Sequence, residues 1–397
     1  MPKIAYAHGV ATQTRTSPQD PTSEMLTGID YPCPIPLTEV LGQDRAISML
    51  QASMQSGRIH HAWIFHGPQG VGKFTTALAF ASTILDPTSG PNLTGEIEPD
   101  PQSKTQHLIK SRMHPDLHVI TKELARFDND SKIRDRKLIT IPKEVINTHL
   151  LKPASFAPTI RTESMASKVF IVDEAELLDR FVTHAPVQNA ILKTLEEPAP
   201  GTVIILVTSG EDRLLPTIRS RCQRVAFTPL DVRAMQSWLE QQSDLDLPSE
   251  HRRWLLEIAA GSPGQLIDAV ETKRYEWRET IEPLFDQIKS GQFDPSMGPK
   301  IAGLVEQWAR NAVMGKPEAS KEAANKAGAL MMFRFLNEQL RALLRRAVID
   351  QADDKQDWCL DALDLVAQAE RHAAANVQIP FVMENLVSSL ACIRARA

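Results

Sequence analysis

Gly67-Pro68-Gln69-Gly70-Val71-Gly72-Lys73 has the spacing G-x-x-x-x-G-K, and its residue types suit the holding of a phosphate. Glycines let successive backbone N–H groups turn inward on an anion, and the lysine adds a full positive charge. The next position in this pattern is normally Ser or Thr, whose hydroxyl binds Mg²⁺. Here it is Phe74. Thr75 offers the nearest hydroxyl, but one step along a helix rotates a side chain by about 100°, so Thr75 is expected to face elsewhere. The loop is thus equipped to hold a nucleotide phosphate, with ATP the candidate ligand. Mg²⁺ coordination should be weak and hydrolysis poor. A second acidic feature fits the first. Asp173-Glu174 follows the apolar run Val169-Phe170-Ile171-Val172. Beside a phosphate loop, such an Asp is a possible contact for Mg²⁺ or its water, and such a Glu can polarise the attacking water.

These residues need elements to place them. Residues 62–65 form a short apolar run that reads as a buried strand, and 73–85, free of Gly and Pro, read as a helix. Strand, glycine loop and helix is the context in which the motif works, since a helix N-terminus adds free N–H donors and partial positive charge. Further strands are expected at 117–121, 169–172, 203–207 and 224–227. Alternating strands and helices predict an α/β core over 37–228, a parallel five-stranded sheet with helices on both faces. Residues 1–36 are rich in Thr, Pro and Ser and read as a flexible or extended tail. Residues 86–143 are polar and read as a long, partly disordered insertion. From Pro229 the pattern turns helical: a small lid over 229–277, then a nearly all-helical region over 278–397. That region is broken at Gly315-Lys316-Pro317 and Gln378-Ile379-Pro380, with a long helix over 331–349 and a last one over 381–394.

Asn189-Ala190-Ile191-Leu192-Lys193-Thr194-Leu195-Glu196-Glu197-Pro198 closely resembles a segment of bacterial clamp-loader ATPase subunits. So do Leu214-Leu215-Pro216-Thr217-Ile218-Arg219-Ser220-Arg221-Cys222, His114-Pro115-Asp116-Leu117 and Leu41-Gly42-Gln43. Together, over roughly 37–270, they resemble the delta-prime branch of the DNA polymerase III clamp loaders, which are AAA+ proteins. The resemblance implies a role in DNA replication, in a five-membered ring that places a sliding clamp on primed DNA. Its partners would be the gamma/tau and delta subunits, the clamp and, through the complex, the DNA. It makes Gly67, Gly70, Gly72 and Lys73 the phosphate loop, Asp173 and Glu174 the Walker B acids, and Thr208 the sensor 1 residue. Arg221 becomes an arginine finger that enters the neighbour's ATP site, and 278–397 become a collar that assembles the ring. A guanidinium suits that task, being permanently charged and forked for phosphate oxygens.

Three departures from the family's motors point away from catalysis. Phe74 is one. The lid motif Gly261-Ser262-Pro263-Gly264-Gln265 lacks the motors' arginine at Gly264 or Gln265. The insertion holds no cysteine, so the four-cysteine zinc module of many related subunits is missing and no zinc is expected. His107, His114 and His118 do not replace it, and His114, beside a proline, reads as a packing or turn residue. An assembly subunit that binds ATP without turning it over is the leading reading. An active motor, such as a gamma-type subunit or a branch-migration helicase, is the alternative, and at this level enzyme activity stays open. Composition adds limits. The net charge of −5 gives no overall attraction to DNA, so any contact must be local. No apolar run is long enough for a membrane span. Cys33, Cys222, Cys359 and Cys392 are widely spaced, which fits a reduced cytoplasmic protein.

Overall fold

The computed structural model describes residues 31–134, 140–161, 163–179, 185–242, 249–289, 294–314, 321–375 and 377–394, with 245, 247 and 292 besides. Most of the expected tail, and the break at Gly315-Lys316-Pro317, lie outside the described residues. The chain packs as two units. One is Met1–Ser243 with Gly261–Gly264, and the other is Asp244–Ala260 with Gln265–Ala397.

The first unit is built on five parallel strands: β1 (Ala62–His66), β4 (Leu117–Ile120), β5 (Lys168–Val172), β6 (Thr202–Thr208) and β7 (Gln223–Ala226), in the order β4-β5-β6-β1-β7. The central strands are apolar at consecutive positions because both faces are covered. Alternate side chains point to opposite faces. Trp63, Phe65, Val169, Ile171, Val203 and Ile205 accordingly pack with Leu50 and Met54 of α1 (Asp44–Gln55). They also meet Leu78, Phe80 and Ile84 of α2 (Lys73–Ile84). Ala62, Ile64, Phe170, Val172, Ile204 and Leu206 pack on the other side with Val187, Ile191 and Leu195, spaced by four on α4 (Pro186–Glu196).

The stretch after α2 is better ordered than its polarity suggested. Residues 86–134 contain a two-stranded hairpin, β2 (Gly90–Pro91) and β3 (Ile97–Glu98), and the helix α3 (Lys104–Lys110). Buried Asp86 gathers them by accepting hydrogen bonds from Ser103 Oγ (2.5 Å), Gln106 Nε2 (3.0 Å) and Thr88 N and Oγ1 (2.9 and 2.7 Å). The polar residues are there to meet one another, which composition alone reads as looseness. Residues 31–36, the described end of the expected tail, are fastened. Arg112 donates to the Tyr31 carbonyl and lies over its ring, while Cys33 Sγ donates to the Lys110 carbonyl.

The first unit also holds α5 (Pro216–Arg219) and α6 (Val232–Gln241). In the second unit α7 (Arg252–Ala259) joins a set of longer helices. After α8 (Pro263–Glu271), which begins at the lid turn, come α9 (Arg274–Lys289), α10 (Met297–Val313), α11 (Lys321–Ile349), α12 (Asp353–Ala374) and α13 (Ile379–Arg394). The helix expected at 331–349 starts ten residues earlier. Gly328, within that added length, lets the helix approach Trp308, where a Cβ would stand 2.9 Å from the indole. Trp254, Trp277 and Phe335 are buried together in the core of this unit. Among the described residues, no helix is long and apolar enough to cross a membrane.

Candidate nucleotide site

β1 ends at His66 and the chain turns at Gly67, with φ of +146°. A Cβ there would lie 2.2 Å from the Phe227 carbonyl oxygen, so the loop can pass beneath the end of β7 only as glycine. Gly70 and Gly72 also have positive φ, 79° and 98°. Buried Gln43 fixes the loop from below, donating to the carbonyls of Val71 (3.1 Å) and Thr228 (2.7 Å). This gives the Leu41-Gly42-Gln43 motif a physical task.

Lys73 opens α2 with its side chain buried. Its Nζ donates to the carbonyls of Gly67 (2.7 Å) and Pro68 (2.5 Å) and to Ser209 Oγ (3.1 Å). Burial lowers its pKa to about 8, against the opposing pull of Glu176 and Asp173. Asp173, at the C-terminal end of β5, is pushed up to about 7, first by burial and then by the charge of Glu174. The candidate site thus brings together an amine and a carboxyl whose burial shifts both toward neutrality. A phosphate arriving here would have to replace the carbonyls on Lys73, and a metal would need Asp173 ionised.

Glu174 takes a left-handed backbone conformation (φ 49°), and its carboxylate accepts from Lys122 Nζ at 2.6 Å. Glu176 Oε2 instead accepts from the Ser209 backbone N–H at 3.2 Å. Thr208, fully buried at the end of β6, uses its hydroxyl to accept from the Gly210 N–H (3.1 Å). The hydroxyl that meets Lys73 belongs to Ser209. Phe74 turns its ring into the apolar cluster on its side of the sheet, edge-on to Tyr31 with centroids 6.4 Å apart. Thr75 is half-buried on the next position of α2. Sequence reasoning missed Ser209, Glu176 and Lys122, which are single polar residues after strands with no spacing to mark them.

The turn Gly261-Ser262-Pro263-Gly264 binds the loop through its backbone. Ser262 Oγ donates to the Gln69 carbonyl (2.8 Å) and the Gly264 N–H to the Gly70 carbonyl (2.9 Å). A Cβ at Gly264 would stand 2.7 Å from Gly70 Cα, so no side chain fits at this position.

Arg221 lies apart, on the turn after α5. Its Nη1 donates to the Thr217 carbonyl (2.9 Å), its Nη2 pairs with Glu196 Oε1 (2.7 Å), and about a third of the side chain (36%) is exposed. That turn leans on α4. Gln188 Nε2 donates to the Arg213 carbonyl (3.1 Å) and its Oε1 accepts from the Leu215 N–H (2.7 Å), while Leu214 and Ile218 join the cluster under α4. His114 is a turn residue, its Nδ1 accepting from the Asp116 N–H. His118 stacks on Phe170, with its pKa lowered to about 4 by burial. Among the described residues, no group of three or more His, Cys, Asp or Glu could hold a metal ion.

Residues 42–231 match the family model described as "DNA polymerase III, delta subunit". The chain is 29% identical over 232 residues to the DNA polymerase III subunit delta' of Bacillus subtilis (strain 168), covering 58% of this chain and 59% of that one. It is 30% identical over 203 residues to the subunit delta' of Pseudomonas aeruginosa, covering 51% and 53%. The subunit tau of Escherichia coli (strain K12) is 28% identical over 237 residues, covering 60% and 32%. The chain thus spans little more than half the length of its delta' relatives. The motif order, the parallel sheet with its glycine loop and these matches converge. Residues 42–231 of this chain match the DNA polymerase III delta-subunit family model and are similar to the delta' and tau subunits of that polymerase, consistent with a clamp-loader delta' subunit.

Proposed function

We propose that this protein is a delta-prime-type clamp-loader subunit, which helps a ring of gamma/tau and delta subunits place a sliding clamp on primed DNA. Its own pocket holds ATP at most. It lends Arg221 to the ATP site of a neighbouring subunit, and the helical second unit assembles the ring. The observation that carries the weak-hydrolysis part is Phe74. Where a hydroxyl would meet Mg²⁺, an aromatic ring packs on Tyr31. The Lys122–Glu174 pair acts in the same direction, since it occupies the carboxylate that would polarise water. Arg221 supports the trans role, because its side chain is partly exposed.

The test is ATP turnover by the isolated chain and by the reconstituted complex. The isolated chain should show little turnover. Arg221→Ala should lower turnover of the complex, by up to about a thousandfold at one site, while this chain's own affinity for ATP stays the same. A complex at full rate with Arg221→Ala would refute the trans role.

The second reading is a gamma-type subunit that hydrolyses ATP. It has in its favour the unbroken Gly67–Lys73 loop and the likeness to tau. Brisk turnover by the purified chain alone would establish it.

A further inference from the structure

The segment from Asn189 to Pro198 carries much of the family resemblance, yet the nucleotide site assigns it no task. Its last helical residue supplies one. Glu196 closes α4 and its carboxylate meets Arg221 Nη2 at 2.7 Å, while the Thr217 carbonyl takes Nη1 at 2.9 Å. A guanidinium has five N–H donors in a rigid plane. Glu196 and the Thr217 carbonyl on two of its nitrogens, with a longer contact from Nη1 to Ser220 Oγ (3.5 Å), fix both the position and the tilt of that plane, and about a third of the side chain (36%) stays exposed.

The acceptors are themselves held. Thr217 belongs to α5, whose Ile218 is buried beneath α4. Gln188, two turns upstream on α4, grips the backbone at Arg213 and Leu215 that leads into α5. The helix α4 is thus a splint fastened at both ends to the turn that bears Arg221.

We infer that Glu196 is a positioning residue for Arg221, aiming its guanidinium at the oxyanion it serves. The inference rests on the trans role proposed above. An arginine on a free turn samples many rotamers and loses that freedom on docking, whereas one already held loses less. Glu196 touches no nucleotide in this scheme and acts only through Arg221.

The test is a double-mutant cycle in the reconstituted complex, with KM and kcat for ATP measured separately. Glu196→Ala should lower kcat by about two- to five-fold, the range of a partly exposed ion pair, and leave KM unchanged. Glu196→Gln keeps an oxygen that accepts from Nη2 and should restore most of the rate. In an Arg221→Ala background, Glu196→Ala should have no further effect. Thermal unfolding of each variant shows whether the chain is folded, and Glu196→Leu, which also lacks the accepting oxygen, serves if Glu196→Ala is not. Three results overturn the inference: an unchanged or raised kcat with Glu196→Ala, an equal loss in the Arg221→Ala background, or no rescue by Glu196→Gln. If Arg221→Ala itself is silent, the trans role falls and the inference falls with it. If Arg221→Ala is damaging while Glu196→Ala is silent, only the role of Glu196 fails.

Discussion

Asp173→Asn should make the first unit more stable, and increasingly so as pH rises from 4 to 8. In the folded chain this carboxyl titrates at about 7 instead of 3.8, because burial and the adjacent Glu174 both disfavour its charge. A folded value above the unfolded one means that the native state binds the extra proton. The stability from that proton is complete below 3.8 and is lost as pH climbs through about 7. The interval between those values, at about 1.4 kcal/mol for each pH unit, gives an upper size of about 4 kcal/mol. Asparagine keeps an Oδ1 to accept from the Glu174 N–H, which Asp173 Oδ1 meets at 2.9 Å, and carries no charge to bury. The assay is urea unfolding of both proteins at pH 5, 6, 7 and 8. Hydrogen exchange at the β5 amides would report this unit separately from the helical one. The difference between the proteins should grow across pH 5–8 in favour of the variant. A difference that is flat, or that shrinks with rising pH, would refute the reasoning that burial raises this carboxyl.

Phe74→Ser should improve Mg²⁺-dependent ATP binding, read by titration with and without the metal. The lost packing on Tyr31 should cost on the order of 1–3 kcal/mol of stability. Gly264→Arg should not restore a motor-type lid. Its Cβ would collide with Gly70, so a loss of about 1–3 kcal/mol in thermal unfolding, with no gain in ATP affinity, is expected. Affinity for ATP should fall as pH rises through about 8, where Lys73 loses its proton. Calorimetric titration at pH 7 and 9 checks this, and Lys73→Arg should remove the pH dependence. Asp86→Asn should loosen residues 86–110. Burial raises the Asp86 pKa, but the hydrogen bonds from Ser103, Thr88 and Gln106 outweigh it and the net shift is downward. Its stabilisation is therefore present above the ordinary carboxylate range and lost as pH falls, and protease cleavage within 86–110 should rise on acidification in the parent chain.

The glycine loop between β1 and α2, the five strands and the acidic pair after β5 were legible in the sequence because each depends on local pattern. Glycines at fixed spacing, apolar runs bounded by polar residues and a strand-ending Asp173 are all properties of short windows. The family motifs were legible for the same reason. The order β4-β5-β6-β1-β7 was not, since its pairings of β1 with β6 and β7 join residues more than a hundred positions apart. Nor was the order within residues 86–134, where a polar composition conceals mutual hydrogen bonds around Asp86. Only tertiary structure decided that Ser209 and not Thr208 meets Lys73, that Lys122 holds Glu174, and that Glu196 of one motif clasps Arg221 of another. Each of these contacts joins side chains from separate elements. Its geometry is fixed by how helices and strands pack, which no local spacing encodes.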